Sequence, residues 1–265
     1  MKFTKTSLPG LPLALLMDHG GVLDGAALSG RVPSGHIVTG QYFDDEENCT
    51  ILTQSISRTV IENLIQLRAS GVKLWSMSNN DFQDQIDLIE LIQKAYPAFK
   101  FDVLWQAGEA GSSTKMTTST TTACDQVLII APRADGSNIR GDGKDGIREA
   151  YVTAGLMTSE QKSLIVVLDD GPTIIKKADG EGYLTTTFSD RTAEAAFQEF
   201  FEITCFPRIG VVSESARTAA AGGGSAAPVS QRTAPGTATP MRDLAAERTP
   251  LLEKEKSAKS CCVVM

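Results

Sequence analysis

Paired cysteines, long apolar runs and positive charge are all scarce in this 265-residue chain. The five cysteines (Cys49, Cys124, Cys205, Cys261 and Cys262) form no CxxC pair, and only the last two stand together. That spacing argues against a disulfide framework or structural zinc and suits a reducing cytosol. The longest apolar stretches, near residues 11–17 and 163–168, fall far short of the roughly 20 residues needed to span a bilayer. Pro9 and Pro12 interrupt the N-terminal segment and Asp18 closes it, so it makes a poor signal peptide. The formal net charge is −7, and residues 211–265 hold seven Lys or Arg against five Asp or Glu. The first 210 residues are therefore the acidic part, which argues against nucleic acid as a partner. After Phe206 there is no aromatic residue at all.

That last absence divides the chain. Residues 211–260 read Ala, Gly, Ser, Thr, Pro and Arg, and cannot bury enough apolar surface to offset the entropy of ordering. We expect a disordered linker there, followed by a lipidation motif at 261–265. Cys262-Val263-Val264-Met265 reads as a CaaX prenylation box, the substrate of a farnesyltransferase, and terminal Met favours farnesyl. Palmitoylation of Cys261 would supply the second signal that a stable anchor needs. Lys254, Lys256 and Lys259 add a modest attraction to anionic lipid. Glu247, Leu251 and Leu252 match an acidic dileucine signal of the kind clathrin adaptor complexes read in extended tails. The expected location is the cytosolic face of a membrane, in a eukaryotic cell or in a host cell receiving a bacterial effector.

Residues 1–210 form one α/β domain of ordinary size. Buried-strand patterns at 13–17, 72–77, 101–105, 126–131, 164–168 and 183–188 alternate with helical patterns at 56–69, 81–95, 146–154, 174–178 and 193–202. The alternation predicts a Rossmann-like parallel sheet with helices on both faces and ligands at the carboxyl ends of the strands. The spans 25–55 and 81–143 are too short or irregular for a large cap domain. Residues 112–122, rich in Ser and Thr, read as a loop, His36 as an exposed loop histidine, and Trp75 and Trp105 as core.

Chemistry gathers at the predicted strand ends. The first strand leads into Asp18-His19-Gly20-Gly21-Val22-Leu23-Asp24, and another into Ser78-Asn79-Asn80. Lys144 lies in the turn Gly141-Asp142-Gly143-Lys144-Asp145-Gly146, and the strand at 164–168 delivers Asp169-Asp170. Carboxylates at the tips of parallel strands make a hard oxygen site suited to Mg²⁺, and a hydroxyl with an ammonium can bind phosphate. Taken singly, each has a plainer reading: Asp169-Asp170 as an acidic pair at a helix start, Ser78-Asn79-Asn80 as a helix cap, Lys144 as a solvated lysine.

In this order, over roughly residues 11–190, the motifs resemble the haloacid dehalogenase (HAD) superfamily. The resemblance implies Asp18 as a nucleophile forming an aspartyl-phosphate. It also implies Ser78 and Lys144 as phosphoryl-binding groups, and Asp18, the Gly20 carbonyl, Asp169 and Asp170 as Mg²⁺ ligands. Lys115 and Lys162 compete with Lys144 for the lysine role. One position departs from the pattern: hydrolytic members usually carry a second Asp where this chain has Gly20. His19 and Asp24 are the neighbouring groups available to substitute. Two functions follow: a membrane-anchored, Mg²⁺-dependent phosphatase acting on a phosphorylated small molecule or phosphoprotein, or a catalytically weak binding and trafficking module on the same fold.

Overall fold

The computed structural model describes residues 11–24, 28–29, 32–43, 51–141 and 143–187, with residues 195, 197, 200 and 201. All lie in the first of two compact units, Met1–Gly222. The tail motifs at Glu247, Leu251, Leu252, Cys261 and Cys262, and most of the helix predicted at 193–202, lie outside the described residues. Among the described residues no helix is long and apolar enough to cross a membrane.

In chain order the strands are β1 (Ala14–Met17), β2 (Leu28–Ser29), β3 (His36–Phe43), β4 (Ile51–Ser57), β5 (Lys73–Ser76), β6 (Phe101–Ala107), β7 (Lys115–Thr118), β8 (Cys124–Ile130), β9 (Ile165–Asp169) and β10 (Leu184–Thr187). The helices are α1 (Arg58–Ala69), α2 (Phe82–Gln93), α3 (Asp145–Thr153) and α4 (Pro172–Gly180). Seven strands form one sheet in the order β10-β9-β1-β5-β6-β8-β7, parallel throughout except for β7 at the edge. Side chains alternate across it with the period of two that a strand imposes. Leu15, Met17, Leu74, Val166 and Leu168 join the core on the side of α1 and α2. Ala14, Leu16, Trp75, Trp105, Ile165 and Val167 join the core on the side of α3 and α4. A sheet covered on both faces needs apolar runs rather than apolar–polar alternation, as β1 and β9 show.

From central β1 the chain builds outward through β5, β6 and β8, then returns to β9 and β10 on the other side of β1. That reversal of strand order is a topological switch point, where the crevice beyond the strand ends receives ligands in open α/β sheets. An ion-pair network ties the opposite end of the sheet. Asp102, at the start of β6, accepts from Arg68 Nε at 3.2 Å, Lys73 Nζ at 3.1 Å and the Leu74 amide at 2.9 Å.

Three segments differ from the sequence expectation. The span 25–55, read as irregular, contributes a second, antiparallel sheet in the order β2-β4-β3. The helix predicted from residue 56 begins at Arg58, because Ile56 and Ser57 complete β4 opposite Ile37 and His36. His36 is accordingly a half-buried strand residue, bonded through Nδ1 to Ser55 Oγ at 3.1 Å. Within the predicted loop 112–122, Lys115–Thr118 pairs with β8 as an edge strand. Its lysine and threonines suit an exposed edge, which charge protects from further pairing.

Candidate active site

The sheet register brings the distant motifs together. Met17 pairs with Leu168 on β9 and with Ser76 on β5, so the residues that follow emerge side by side at the switch point. Asp18 and Asp169 thus flank each other, with Ser78 beyond the neighbouring strand end. Lys144 reaches both carboxylates, its Nζ donating to Asp18 Oδ2 at 2.6 Å and to Asp169 Oδ2 at 2.9 Å. Lys144 and Asp169 are fully buried and Asp18 nearly so. Of the three lysines weighed from sequence, Lys115 is exposed on β7 and Lys162 lies over the Tyr183 ring, so Lys144 alone joins this cluster.

Lys144 is also the sole non-glycine with positive φ among the described residues, at φ 50°. A left-handed backbone costs about 1–2 kcal/mol for such a residue, so a side chain rather than glycine stands there at the expense of stability. Its turn is held by Arg148, wholly buried in α3. Arg148 donates to the Gly143 carbonyl, pairs with Glu181 through both Nε (3.0 Å) and Nη2, and rests over Tyr183. Arg148 was missed in the sequence, where a lone arginine in a short helix reads as solvated.

Asp18 closes β1, its Oδ1 accepting the His19 amide at 2.8 Å, and leads into a π-turn in which the Asp24 amide donates to the His19 carbonyl at 3.0 Å while Gly20 and Gly21 leave helical backbone angles. Gly21 sits inside with φ 72°, and a Cβ there would collide with Asp170 Oδ2. Glycine at 21 therefore admits Asp170 to the cluster. Carboxylate oxygens of Asp18, Asp169 and Asp170 lie within 4.8 Å of one another. Three carboxylates against one ammonium leave negative charge uncompensated, and all the donors are hard oxygens. This set fits a hard divalent cation. Burial pushes the Asp18 carboxyl up to about 6, against the opposing pull of Lys144, with Asp169 adding to the rise. Burial followed by Asp169 raises Asp170 as well.

Ser78 lies in a braced loop. Its carbonyl accepts Trp105 Nε1 at 2.9 Å, and its Oγ accepts the Asn80 amide at 3.1 Å. Ser76 Oγ donates to Gln85 Oε1 at 2.7 Å, and Gln85 Nε2 donates to the Asn80 and Trp105 carbonyls. Tyr151 donates to the Ser76 carbonyl from the opposite face of the sheet. A buried network with every member satisfied fixes a loop more firmly than its single bonds suggest. The N-cap position of α2 is Asp81 rather than any of Ser78-Asn79-Asn80, and its side chain makes no capping bond but pairs with Arg140 at 2.7 Å.

The two side chains flanking Gly20, His19 and Asp24, fare differently. His19 is fully buried, tilted against Phe101 with ring centroids 5.2 Å apart, and neither ring nitrogen has a hydrogen-bond partner. Burial, reinforced by Lys144, holds it neutral, its value lowered to about 3. A buried, unpaired polar atom costs about 1–3 kcal/mol. His19→Leu is therefore expected to stabilise the domain by about 1–2 kcal/mol in chemical denaturation, and a loss of stability would show that the ring has a partner. Asp24, at the end of the π-turn, is 7% exposed, and its Oδ1 has no partner. Burial first, then Asp18 and Asp170, push its carboxyl up to about 7, opposed by the Gly21 amide.

No protein-family model matches the chain, and no curated protein matches it in sequence.

Proposed function

We propose that the chain is a HAD-type phosphohydrolase using an aspartyl-phosphate intermediate and requiring Mg²⁺. The observation that carries this reading is Lys144 bridging Asp18 and Asp169 beside Asp170 at the switch point of a parallel sheet. Asp18 attacks phosphorus, forming an acyl phosphate as the bond to the leaving oxygen breaks. The Ser78 hydroxyl and the Lys144 ammonium hold the transferring group, and their fixed positions spare the reaction a reorganisation of charge. Asp18, Asp169, Asp170 and the Gly20 carbonyl would hold Mg²⁺, which supplies charge neutralisation for the phosphoryl oxygens. Water then cleaves the acyl phosphate, regenerating Asp18 and releasing phosphate. In this chain Gly20 offers no side chain to take the water's proton, so the second step is slow. The test is phosphate release from an aryl phosphate by the full chain. Release is expected to need Mg²⁺, to stop with a chelator and to fall at least about 10³-fold in Asp18→Asn. Release that survives Asp18→Asn would sink the reading.

Gly20 also favours a second reading, in which turnover is vestigial and the phosphate site serves a tethered binding or trafficking module. Mg²⁺ binding with no release from any ester would select it. On either reading we propose that the chain acts at the cytosolic face of a membrane, held by farnesyl on Cys262 with palmitoyl on Cys261. The dileucine residues Glu247, Leu251 and Leu252 then stand available to adaptor complexes. A fluorescent full-length fusion is expected to leave membranes on Cys262→Ser, and persistence there would rule the lipid out.

A further inference from the structure

A cavity of about 460 Å³ lies between α2 and the strand β3, with Asp24 and Asn80 on its lining. Both residues connect it to the catalytic cluster. The Asn80 amide donates to Ser78 Oγ, and Asp24 closes the turn that follows Asp18, its amide donating to the His19 carbonyl. Helix α2 faces the cavity with Asp84, Asp87, Leu88 and Leu91, and its C-cap residue Lys94 follows on the same stripe by helical spacing of three and four. Glu90 extends that stripe, so three exposed carboxylates face a single lysine. The inner group is different in kind: Asp24 is buried and its carboxylate takes the Gly21 amide, yet its Oδ1 is unpaired, where buried polar atoms are ordinarily bonded. Thr39 Oγ1, on the β3 side, is likewise unpaired. Among the described residues no aromatic ring lines the cavity, so they supply no cage of the kind that selects quaternary ammonium groups. Carboxylates and hydroxyls instead satisfy cations that carry N–H donors, while Leu88 and Leu91 accept methylenes. The volume suits a small molecule rather than a protein surface.

Resting on the phosphohydrolase reading, we propose that this cavity holds the leaving group of the substrate and selects phosphate monoesters of amines, with a primary ammonium or guanidinium between Asp24 and the α2 carboxylates. The experiment compares kcat/KM of the full chain for ω-aminoalkyl phosphates of two to six carbons with that for n-alkyl phosphates one carbon longer, in which methyl replaces ammonium. The amino esters are expected to be preferred by about tenfold or more at the best length, the discrimination of one or two charge-assisted hydrogen bonds. In Asp84→Asn/Asp87→Asn/Glu90→Gln that ratio is expected to fall towards unity. The ratio within one protein cancels any change in overall rate. Equal kcat/KM for both series in the wild type overturns the assignment and leaves the phosphohydrolase standing. A second readout needs no turnover: calorimetry with 6-aminohexanol against hexane-1,6-diol. Binding of the amine alone, weakened in the triple variant, supports the pocket even if no ester is hydrolysed. Equal binding of amine and diol overturns it.

Discussion

Gly20→Asp is expected to raise phosphate release by about 10²- to 10⁴-fold, the usual contribution of a positioned general acid–base. The backbone at Gly20 has φ −65° and ψ 131°, which any L-residue adopts, and a Cβ built there meets nothing within 4 Å. The substitution thus adds a carboxylate beside Asp18 without strain or collision. Among the described residues nothing nearby duplicates it. His19 is packed against Phe101 and held neutral by burial, and Asp24 lines the neighbouring cavity. Steady-state kcat is the measurement, with burst kinetics as its companion. The wild type should show a burst of leaving group before a slow phase, and Gly20→Asp should abolish the difference. An unchanged kcat would mean that proton transfer to or from water does not limit turnover here.

Lys144→Met is expected to damage both fold and chemistry. The ammonium is fully buried and bonded to two carboxylates that burial has largely removed from water. Removing one partner of a buried pair leaves uncompensated charge, a cost of about 3–5 kcal/mol. Part of this is avoided as Asp18, already raised, takes up a proton. The loss should therefore grow as pH rises: the variant's raised carboxyls bind more protons folded than unfolded, so stability falls through the window above their ordinary values. Mg²⁺ should restore part of the loss by mass action on the folded state. Phosphate release should fall by about 10²- to 10³-fold, as when one electrostatic donor is deleted from a transition-state site. Denaturation midpoints with and without Mg²⁺ separate the two effects. A variant as stable as the wild type at pH 7 without metal would contradict the bridging role of Lys144.

The sequence revealed this cluster unevenly, for physical reasons. Asp18 and Asp169 were legible because each follows an uninterrupted apolar run, and in a parallel sheet such runs deliver the next residue to the ligand-binding edge. Lys144 was ambiguous among three lysines, since only tertiary packing brings its turn beneath the strand ends. The residues that brace the site were not legible at all. Gln85 and Arg148 occupy amphipathic helices, where a polar residue ordinarily marks the wet face, yet both are fully buried and bonded. Trp105 was correctly placed in the core, but its indole bond to the Ser78 carbonyl carries no local signature.

The antiparallel sheet β2-β4-β3 was missed for a different reason. The segments 36–43 and 51–57 are rich in Ile, Val, Thr and aromatic residues, a strand signal in its own right. Ile56 also continues the helical spacing of Val60, Ile61 and Leu64, so the helix pattern absorbed the end of β4. The cavity is hidden in the sequence for the same reason, because Thr39 of β3 lines it opposite α2.

The most direct measurement of the central claim is the covalent state of Asp18. The full chain with Mg²⁺ is mixed with an aryl phosphate, acid-quenched within the burst, and mapped by peptide mass spectrometry. The account predicts one phosphoryl group on the peptide bearing Asp18, labile to hydroxylamine, absent with a chelator, and short-lived in Gly20→Asp. Phosphate release in the wild type with no adduct on Asp18 at any quench time would contradict it.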